Sequence, residues 1–208
     1  MTIQLLDDNT INKIAAGEVI DRPASALKEL LENAADSGAT KIQVAFEEGG
    51  KNLIQVTDNG GGIASKELPL ALQRHATSKL KRIEDLDSIS TMGFRGEALA
   101  SIGAVSELTL ISTQTGAAQG AKIVASGGQL SEVVPCAPLD GTTVEMRNIF
   151  FNVPARQKFL KSTGGETSAI KKVFKQFSLI HPEISLSLRQ DKKQTAFYPP
   201  QDFQKRSC

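Results

Sequence analysis

Three acids and one amide recur along one side of a predicted helix, directly before a glycine and a strand. They are Glu29, Glu32, Asn33 and Asp36. At 100° per residue they cluster opposite four apolar residues, Leu27, Leu30, Leu31 and Ala34. Carboxylate and amide oxygens accept hydrogen bonds, so such a stripe can line a pocket for a polar ligand. Periodicity alone favours the alternative, an acidic helix face that simply points to water.

A further acid, Asp58, lies in "VTDNGGGIA", where an apolar strand runs into Asn59 and the glycines Gly60, Gly61 and Gly62. A carboxylate at a strand end can accept a hydrogen bond from the amino group of a base, and glycines allow the backbone to approach a ligand closely. The alternative is an ordinary Asp-Asn-Gly turn that ends a strand.

Two later segments contain residues suited to phosphate. In "GFRGEALASI", residues 93–102, Gly93 and Gly96 bracket a turn whose following helix would direct free backbone N–H groups at an anion. In "RHATSKL", residues 74–80, a threonine, a serine and a lysine follow a histidine, and each of them also fits a turn or a solvated surface. The P-loop pattern G-x-x-x-x-G-K-[ST] does not occur in the sequence.

The elements that must position these residues have clear limits. Asp21 is predicted to cap the first helix, Pro23 suits its first turn, and Gly38 can end it in the left-handed conformation. "KIQVAF" and "NLIQVTD" read as a hairpin, and a helix is expected from Lys66 to Leu72. The polar region from Arg74 to Gly96 is expected to be a long connection.

The rest of the chain interleaves helices and strands without strict βαβ alternation. "EALASIGAV", "ARQKFLKS" and "ETSAIKKVFKQFSLIHP" are predicted helices, and "ELTLIST", "AKIVAS", "GQLSEVVP", "TTVEMRNI" and a final "ISLSLRQ" are predicted strands. This order favours an α+β fold, a two-layer sandwich in which helices cover one face of a mixed β-sheet.

Composition bounds the class of protein. The 208 residues are 40% hydrophobic and 23% charged, which suits a globular domain with a real core. No apolar run is long enough to cross a bilayer, so a cytoplasmic location is expected. The two cysteines lie far apart and form no zinc-type pair. Charge is uneven: residues 147–175 hold seven basic residues and one acid, which fits either a DNA-facing surface or a solvated helix face.

Together, "KELLENAADSGA", "DNGGGI", "RHATSKL…GFRGEALASI" and "GTTVEMRNIFFNVPARQKFLKS" resemble the amino-terminal ATPase region of the MutL family of DNA mismatch repair proteins. That family belongs to an ATPase group that also holds gyrase B, heat-shock chaperones and histidine kinases. The resemblance implies that residues 1–200 form an ATP-binding domain and that residues 201–208 are a tail or the start of a second lobe. It also implies ATP bound between helices and sheet beneath a lid.

By matching position, the resemblance implies that Glu29 is the general base for the attacking water and that Asn33 is a ligand of Mg²⁺. Asp58 would accept the adenine amino group, with Thr143 helping to fix the base. The remaining nucleotide-binding positions implied by the resemblance are Gly62, Thr77, Ser78, Lys79, Gly93, Arg95, Gly96, Glu97, Ala98 and Leu99.

The implied function is ATP binding and hydrolysis that couples the nucleotide state to homodimer formation and to contacts with DNA and a MutS-type mismatch recognition protein. DNA binding would be non-specific, through the basic surface. Because the family continues into a second lobe with a lysine for the γ-phosphate, a nucleotide-responsive binding module without turnover is an alternative. A histidine kinase catalytic domain is a third interpretation.

Overall fold

The structure is a computed structural model that describes residues 15–74, 76 and 97–201. Its helices are α1 (Pro23–Asp36), α2 (Leu68–Ala71), α3 (Ala98–Val105), α4 (Pro154–Phe159) and α5 (Thr163–Ile180). Its strands are β1 (Lys41–Glu47), β2 (Leu53–Asp58), β3 (Glu107–Thr113), β4 (Gly120–Ser126), β5 (Gln129–Leu130), β6 (Val134–Cys136), β7 (Gly141–Arg147), β8 (Ser185–Gln190) and β9 (Lys193–Tyr198). Residues 15–19 are also helical.

The described strands form one sheet in the order β5-β4-β3-β7-β2-β1-β8-β9, with β6 paired to β4. Strand β1 pairs antiparallel with β2 and parallel with β8, so the sheet is mixed, as predicted. The parallel pair is possible because the long helix α5 precedes β8 and brings the chain back beside the first residue of β1. The site strands β2, β7 and β3 are neighbours at the centre.

One face of the sheet is buried beneath the helices. In β1 the side chains of Ile42, Val44 and Phe46 are buried, whereas those of Lys41 and Gln43 are exposed. Helices and sheet share a single apolar core, to which α1 contributes its leucines and α5 contributes Phe174. Full burial of a leucine side chain is worth about 1.5–3 kcal/mol, so the apolar side of α1 holds the helix against the sheet. The predicted α+β sandwich is confirmed.

Helix α1 begins differently from the prediction and ends as predicted. Arg22, in extended conformation, occupies the N-cap without a side-chain cap, and Asp21 accepts a hydrogen bond from the Ser25 hydroxyl instead. The capping prediction for Asp21 is wrong because the helix starts one residue later, which leaves Asp21 before the cap. At the other end Gly38 has φ +79°, the left-handed conformation expected of a glycine that ends a helix.

Several other boundaries differ from the sequence prediction. Helix α2 is α-helical only over Leu68–Ala71, and α4 ends at Phe159 and not at Ser162. "GQLSEVVP" is divided into β5 and β6, because the Ser131 hydroxyl accepts from the Val124 amide at 3.0 Å and interrupts the pairing. Helix α5 starts three residues before Glu166, capped by the Ser162 hydroxyl, which accepts from Gly165 N. Strand β9 was not predicted at all. Among the described helices, none has the length and apolar character needed to cross a membrane.

Candidate nucleotide site

Asp58 ends β2 with its carboxylate buried against the helix layer. Its side chain is only 7% exposed, and Oδ1 accepts a hydrogen bond from Gly60 N at 2.9 Å. The Ser37 hydroxyl, just beyond the end of α1, lies 3.5 Å from the same oxygen. Burial raises the pKa of Asp58, while the backbone N–H groups of Gly60 and Thr142 and the Ser37 hydroxyl act in the opposite direction. The site therefore holds a desolvated carboxylate, which gains from a hydrogen-bond donor brought by a ligand.

The glycines around Asp58 are explained by the close approach of neighbouring segments of the chain. A Cβ on Gly60 would lie 1.9 Å from Ser37 Oγ, and one on Gly62, which has φ +68°, would lie 1.9 Å from Thr113 O. From the neighbouring strand, a Cβ on Gly141 would meet Asp58 O at 2.4 Å. Gly61 differs, because its nearest neighbour would be Ser37 O at 3.7 Å, an ordinary contact. Three of these glycines are thus required by the way the segments meet around Asp58.

The side chain of Asn59 holds the loop after β2 in place through hydrogen bonds on the exposed side of the loop. Its Oδ1 accepts from the backbone N–H groups of Thr40 and Lys41 at 2.9 and 2.8 Å, and its Nδ2 donates to the Thr40 hydroxyl. These bonds tie the loop after β2 to the start of β1. The simple turn interpretation of "DNG" is therefore correct for Asn59, whose amide side chain is fully engaged in local structure.

The structure does not bring Thr143 to Asp58. In the register of β2 and β7, Asp58 is opposite Thr142, while Thr143 is opposite Thr57 and its hydroxyl lies 3.0 Å from that of Thr57. Successive side chains of a strand point to opposite faces, so Thr143 lies on the face away from the helices. Thr142 is 7% exposed and faces the same side as Asp58. The alternation with Val144 and Met146 in the sequence was the signal that could have identified it.

Ser112 is a second buried hydroxyl that the sequence interpretation missed. It lies near the end of β3, is 1% exposed, and its Oγ is 2.8 Å from the Thr142 hydroxyl. In "ELTLIST" it falls on the same face as Leu108 and Leu110, both fully buried. A polar residue in register with apolar core positions was therefore the available signal.

The acid and amide stripe lies where α1 meets the rest of the domain. Glu29 and Asn33 are half-buried, in contrast to the exposed Lys28 and Asp36. Glu29 lines a cavity of about 410 Å³ between α1 and α5, together with Arg22, Lys28 and Lys172 among others. Glu29, Glu32 and Asn33 are thus neither in the core nor fully in solvent, whereas the solvated-face interpretation is correct for Asp36.

Helix α1 links the two groups of residues. Ser37 at its carboxyl end is beside Asp58, Asn33 is one turn earlier, and Glu29 is two turns earlier. The eight residues from Glu29 to Ser37 span about 12 Å along a helix axis. A purine at Asp58 and a phosphate chain running back along α1 would fit this spacing.

The start of α1 is fixed to α5 by a buried ion pair. Arg22 donates to Glu166 Oε2 from Nε at 3.1 Å and from its terminal nitrogen at 2.9 Å, and Glu166 is 1% exposed. The other carboxylate oxygen of Glu166 accepts from Lys161 N at 2.9 Å. Because every oxygen of the buried acid has a donor, this contact can hold α1 in a fixed position beside α5.

Other predicted site residues lie outside the described residues: Thr77, Ser78, Lys79, Gly93, Arg95 and Gly96, with most of the expected connection from Arg74 to Gly96. Glu97, Ala98 and Leu99 are described and lie at the start of α3, half-buried. Glu97 is within 3.8 Å of Arg74, which joins α3 to the segment after α2.

The basic stretch separates into two parts. Arg147 donates from Nε to Glu145 Oε1 at 2.7 Å, and this bond raises the pKa of its guanidinium. Five lysines around α4 and α5 are exposed, namely Lys158, Lys161, Lys171, Lys172 and Lys175. We call these five residues the lysine surface.

Comparison with known proteins places the chain among ATPases. Residues 21–127 match the family of histidine kinase-, DNA gyrase B- and HSP90-like ATPases. The chain is 50% identical over 202 residues to the DNA mismatch repair protein MutL of Xanthomonas oryzae pv. oryzae strain PXO99A, covering 97% of this chain and 32% of that protein. It spans about a third of the length of the curated relatives it matches.

Solved structures agree with this placement. The ATPase domain of Aquifex aeolicus MutL complexed with ADP matches with a TM-score of 0.73 and 31% identity, over 91% of this chain and 68% of that one. The N-terminal domain of a DNA repair protein matches with a TM-score of 0.78 and 28% identity, over 97% of this chain and 61% of that one. The chain therefore belongs to the histidine kinase-, DNA gyrase B- and HSP90-like ATPase family, with the MutL ATPase domains.

Proposed function

We propose that this chain binds ATP with Mg²⁺ and hydrolyses it, as the amino-terminal ATPase part of a MutL-type mismatch repair protein. The observation that carries the proposal is the buried Asp58 carboxylate at one end of α1, with Asn33 and Glu29 one and two turns along the same helix. Residues 1–200 would form the nucleotide-binding domain, and residues 201–208 would lead out of it.

At the purine end, the Asp58 carboxylate accepts a hydrogen bond from the amino group of adenine. The buried carboxylate already accepts from Gly60 N, and a further donor from the ligand would compensate for its desolvation. The hydroxyl of Thr142, not that of Thr143, lies on the same face and can reach the neighbouring ring nitrogen, directly or through water. A hydrogen bond to a charged acceptor is worth about 1.5–3 kcal/mol, which is roughly ten- to a hundredfold in affinity.

At the phosphate end, Glu29 orients water and accepts its proton during attack on the γ-phosphorus. Residues four apart share a helix face, so Asn33 Oδ1 can act beside it as a metal ligand. The described residues contain no group of three His, Cys, Asp or Glu side chains that could enclose a metal ion. Mg²⁺ keeps several waters and is held by one or two protein ligands together with substrate phosphates, so a single amide oxygen can serve as a protein ligand. When bound, Mg²⁺ would neutralise charge on the phosphate oxygens.

The same proposal includes the segments that would close over the phosphates. Thr77, Ser78 and Lys79 would contact the nucleotide as a lid, and Gly93, Arg95 and Gly96 would lead into the amino end of α3. Support within the described residues is the position of Glu97, Ala98 and Leu99 at the start of that helix, since the first backbone N–H groups of an α-helix have no partner within the helix.

The test of the purine assignment is ATP binding by titration calorimetry on the wild type and on Asp58→Ala. We expect the substitution to weaken binding roughly ten- to a hundredfold. Asp36→Ala, which removes an exposed acid at the same end of α1, is the matched control and should bind ATP as the wild type does. Equal affinity of Asp58→Ala and wild type would exclude Asp58 as the adenine acceptor.

Phosphate release distinguishes an ATPase from a nucleotide-responsive binding module. One outcome is that ATP binds with the expected dependence on Asp58 while neither this chain nor the full-length protein releases phosphate. That result would identify the protein as a nucleotide-responsive binding module without turnover. Release that needs the full-length protein would show that residues beyond these 208 complete the γ-phosphate site.

We also propose that the nucleotide state controls homodimer formation and contacts with a MutS-type protein and DNA. The lysine surface supports DNA binding, because its five exposed amines are close in sequence and Glu166, the acid among them, is buried. Binding through phosphates should be independent of DNA sequence and fall steeply with added salt. Glutamate replacements at Lys171 and Lys175 should abolish it, and salt-independent binding would exclude this surface.

A further inference from the structure

Phe159 is the most exposed large hydrophobic residue among those that the structure describes. It is 88% exposed, and the next in order, Ile180, is 57% exposed. A single apolar residue at a protein surface is common and needs no partner by itself. What the Phe159 ring can bind is therefore decided by how its backbone is held and by which groups surround it.

The short helix that ends at Phe159 is held in place on both sides. None of the six residues of α4 is buried, and a helix of this length is not stable by itself in water. Before the helix, the Asn152 side chain donates to Ala104 O at 2.9 Å. After it, Leu160 packs against the core and Lys161 N donates to Glu166 at 2.9 Å. The exposed ring is thus carried by an ordered segment.

The groups next to Phe159 in the chain are cationic. Lys158 precedes it and Lys161 follows two residues later, and both are exposed members of the lysine surface. The one acid between residues 147 and 175, Glu166, is 1% exposed and accepts from Arg22 and from Lys161 N. These charges favour an anionic partner. They disfavour docking of an apolar protein surface on the ring, because that would remove the two amines from water.

Single-stranded DNA is the anionic partner that uses both kinds of group. Its phosphates are attracted by lysines, and its bases stack on aromatic side chains whatever their sequence. In a duplex the faces of the bases are covered by the neighbouring base pairs, so a ring on the protein surface reaches only the outside of the helix. Duplex DNA would therefore interact with the lysines through its phosphates and gain nothing from Phe159.

We propose that Phe159 stacks on an unpaired base of single-stranded DNA whose adjoining phosphates interact with Lys158 and Lys161. The lysine surface then prefers single strands to duplexes. This inference rests on the DNA binding proposed above for the lysine surface, and it specifies the form of DNA that the surface takes. It does not depend on ATP.

The test measures the binding of an oligo-dT strand of about 12 nucleotides, and of its duplex with oligo-dA, by fluorescence anisotropy. Phe159→Ala should weaken binding of the single strand about five- to a hundredfold and leave duplex binding within about twofold of wild type. The ratio of the two affinities is the decisive quantity, because loss of charge or of folded protein would weaken both. A proportional loss for strand and duplex would overturn the proposal.

Variants at the same position separate stacking from apolar contact. Phe159→Tyr keeps a flat ring and should keep the single-strand affinity, whereas Phe159→Leu keeps only apolar volume and should bind as weakly as Phe159→Ala. Equal affinity of Phe159→Leu and wild type would exclude stacking. Phe197→Ala is the matched control, since Phe197 is a phenylalanine that is 55% exposed on β9, outside the lysine surface. It should bind strand and duplex as the wild type does.

An abasic strand with the same number of phosphates tests the base directly. The wild type should bind it as weakly as Phe159→Ala binds oligo-dT, and Phe159→Ala should cause no further loss on it. Unchanged affinity of Phe159→Ala for oligo-dT would overturn the proposal and leave the ring as a contact for another protein. If Lys171→Glu and Lys175→Glu leave DNA binding intact, the lysine surface itself is not the DNA site and the proposed function fails at that point.

Discussion

The two ends of the candidate site are built in different ways. At the purine end Asp58, Thr142 and Ser112 are each no more than 7% exposed. They lie on three adjacent strands. Asp58 accepts from Gly60 N, Ser112 accepts from Ile63 N, and the Ser112 and Thr142 hydroxyls hydrogen-bond to each other. At the phosphate end Glu29 and Asn33 are half-buried on a single helix, and Glu29 lines a cavity of about 410 Å³. The first group is held by the sheet, whereas the second depends on where α1 is placed.

This difference has a consequence for mutations. Substitution of a residue in the packed sheet should lower both the folding stability and the nucleotide affinity, because the same contacts hold the fold together and position the binding groups. Side chains that project from one helix toward a cavity should affect turnover while leaving the fold intact. Under the proposed function, the groups that bind the base would be fixed in place by the folded sheet. The groups that act in hydrolysis could be substituted without loss of the fold.

The largest effect is expected at the phosphate end. Glu29→Ala removes the proposed general base, so ATP turnover by the full-length protein should fall about 10²- to 10⁴-fold while ATP affinity is retained. The free energy of unfolding should change by no more than about 0.5 kcal/mol. Phosphate release and chemical denaturation measure the two quantities. Glu32→Ala, which removes an acid from the same helix and its 3.6 Å ion pair with Lys28, should keep wild-type turnover. Equal turnover of Glu29→Ala and wild type would remove Glu29 from the mechanism.

An intermediate effect is expected from breaking the purine end. Gly62→Ala would force a side chain into a φ of +68° and place Cβ 1.9 Å from Thr113 O. We expect the free energy of unfolding to fall by about 3 kcal/mol, from backbone strain and displaced packing, and ATP affinity to fall with it. Gly61→Ala is the matched control, since its Cβ would make only an ordinary contact at 3.7 Å. A stable Gly62→Ala variant with weakened turnover alone would contradict the proposed contrast between the two ends.

The smallest effect is the pH dependence of stability that Asp58 contributes. Burial raises its folded pKa above the unfolded value of about 3.9, so the folded protein binds a proton more tightly than the unfolded chain. This contribution to stability is fully present below the unfolded pKa and is lost as pH rises through the folded pKa.

The measurement is the free energy of unfolding of wild type and Asp58→Asn across that pH window. Asparagine keeps the shape and does not titrate, so wild type should gain stability relative to Asp58→Asn as pH is lowered toward 4. Asp36→Asn, at an exposed acid, controls for the loss of a carboxylate at the surface. A constant difference over the whole range would show that folding leaves the pKa of Asp58 unshifted.

Much of the site could be predicted because its signals are local. The apolar spacing of Leu27, Leu30 and Leu31 determined which side of α1 is buried, and the motif after β2 identified Asp58. The resemblance places Thr143 with Asp58 because matching a motif by position cannot say which of two adjacent threonines lies on the same face of the sheet as Asp58. Strand alternation with Val144 answers that question, since neighbours in a strand point to opposite faces.

By itself, the sequence determined the helix faces, the hairpin of β1 and β2 and the family, since all of these depend on local periodicity and ordered motifs. The tertiary structure decided which distant groups meet. Ser112 is 30 positions from Thr142 and 49 from Ile63, and no local pattern indicates their contact. The parallel pairing of β1 with β8 was decided in the same way. Such contacts depend on strand order and register, which are properties of the folded sheet as a whole.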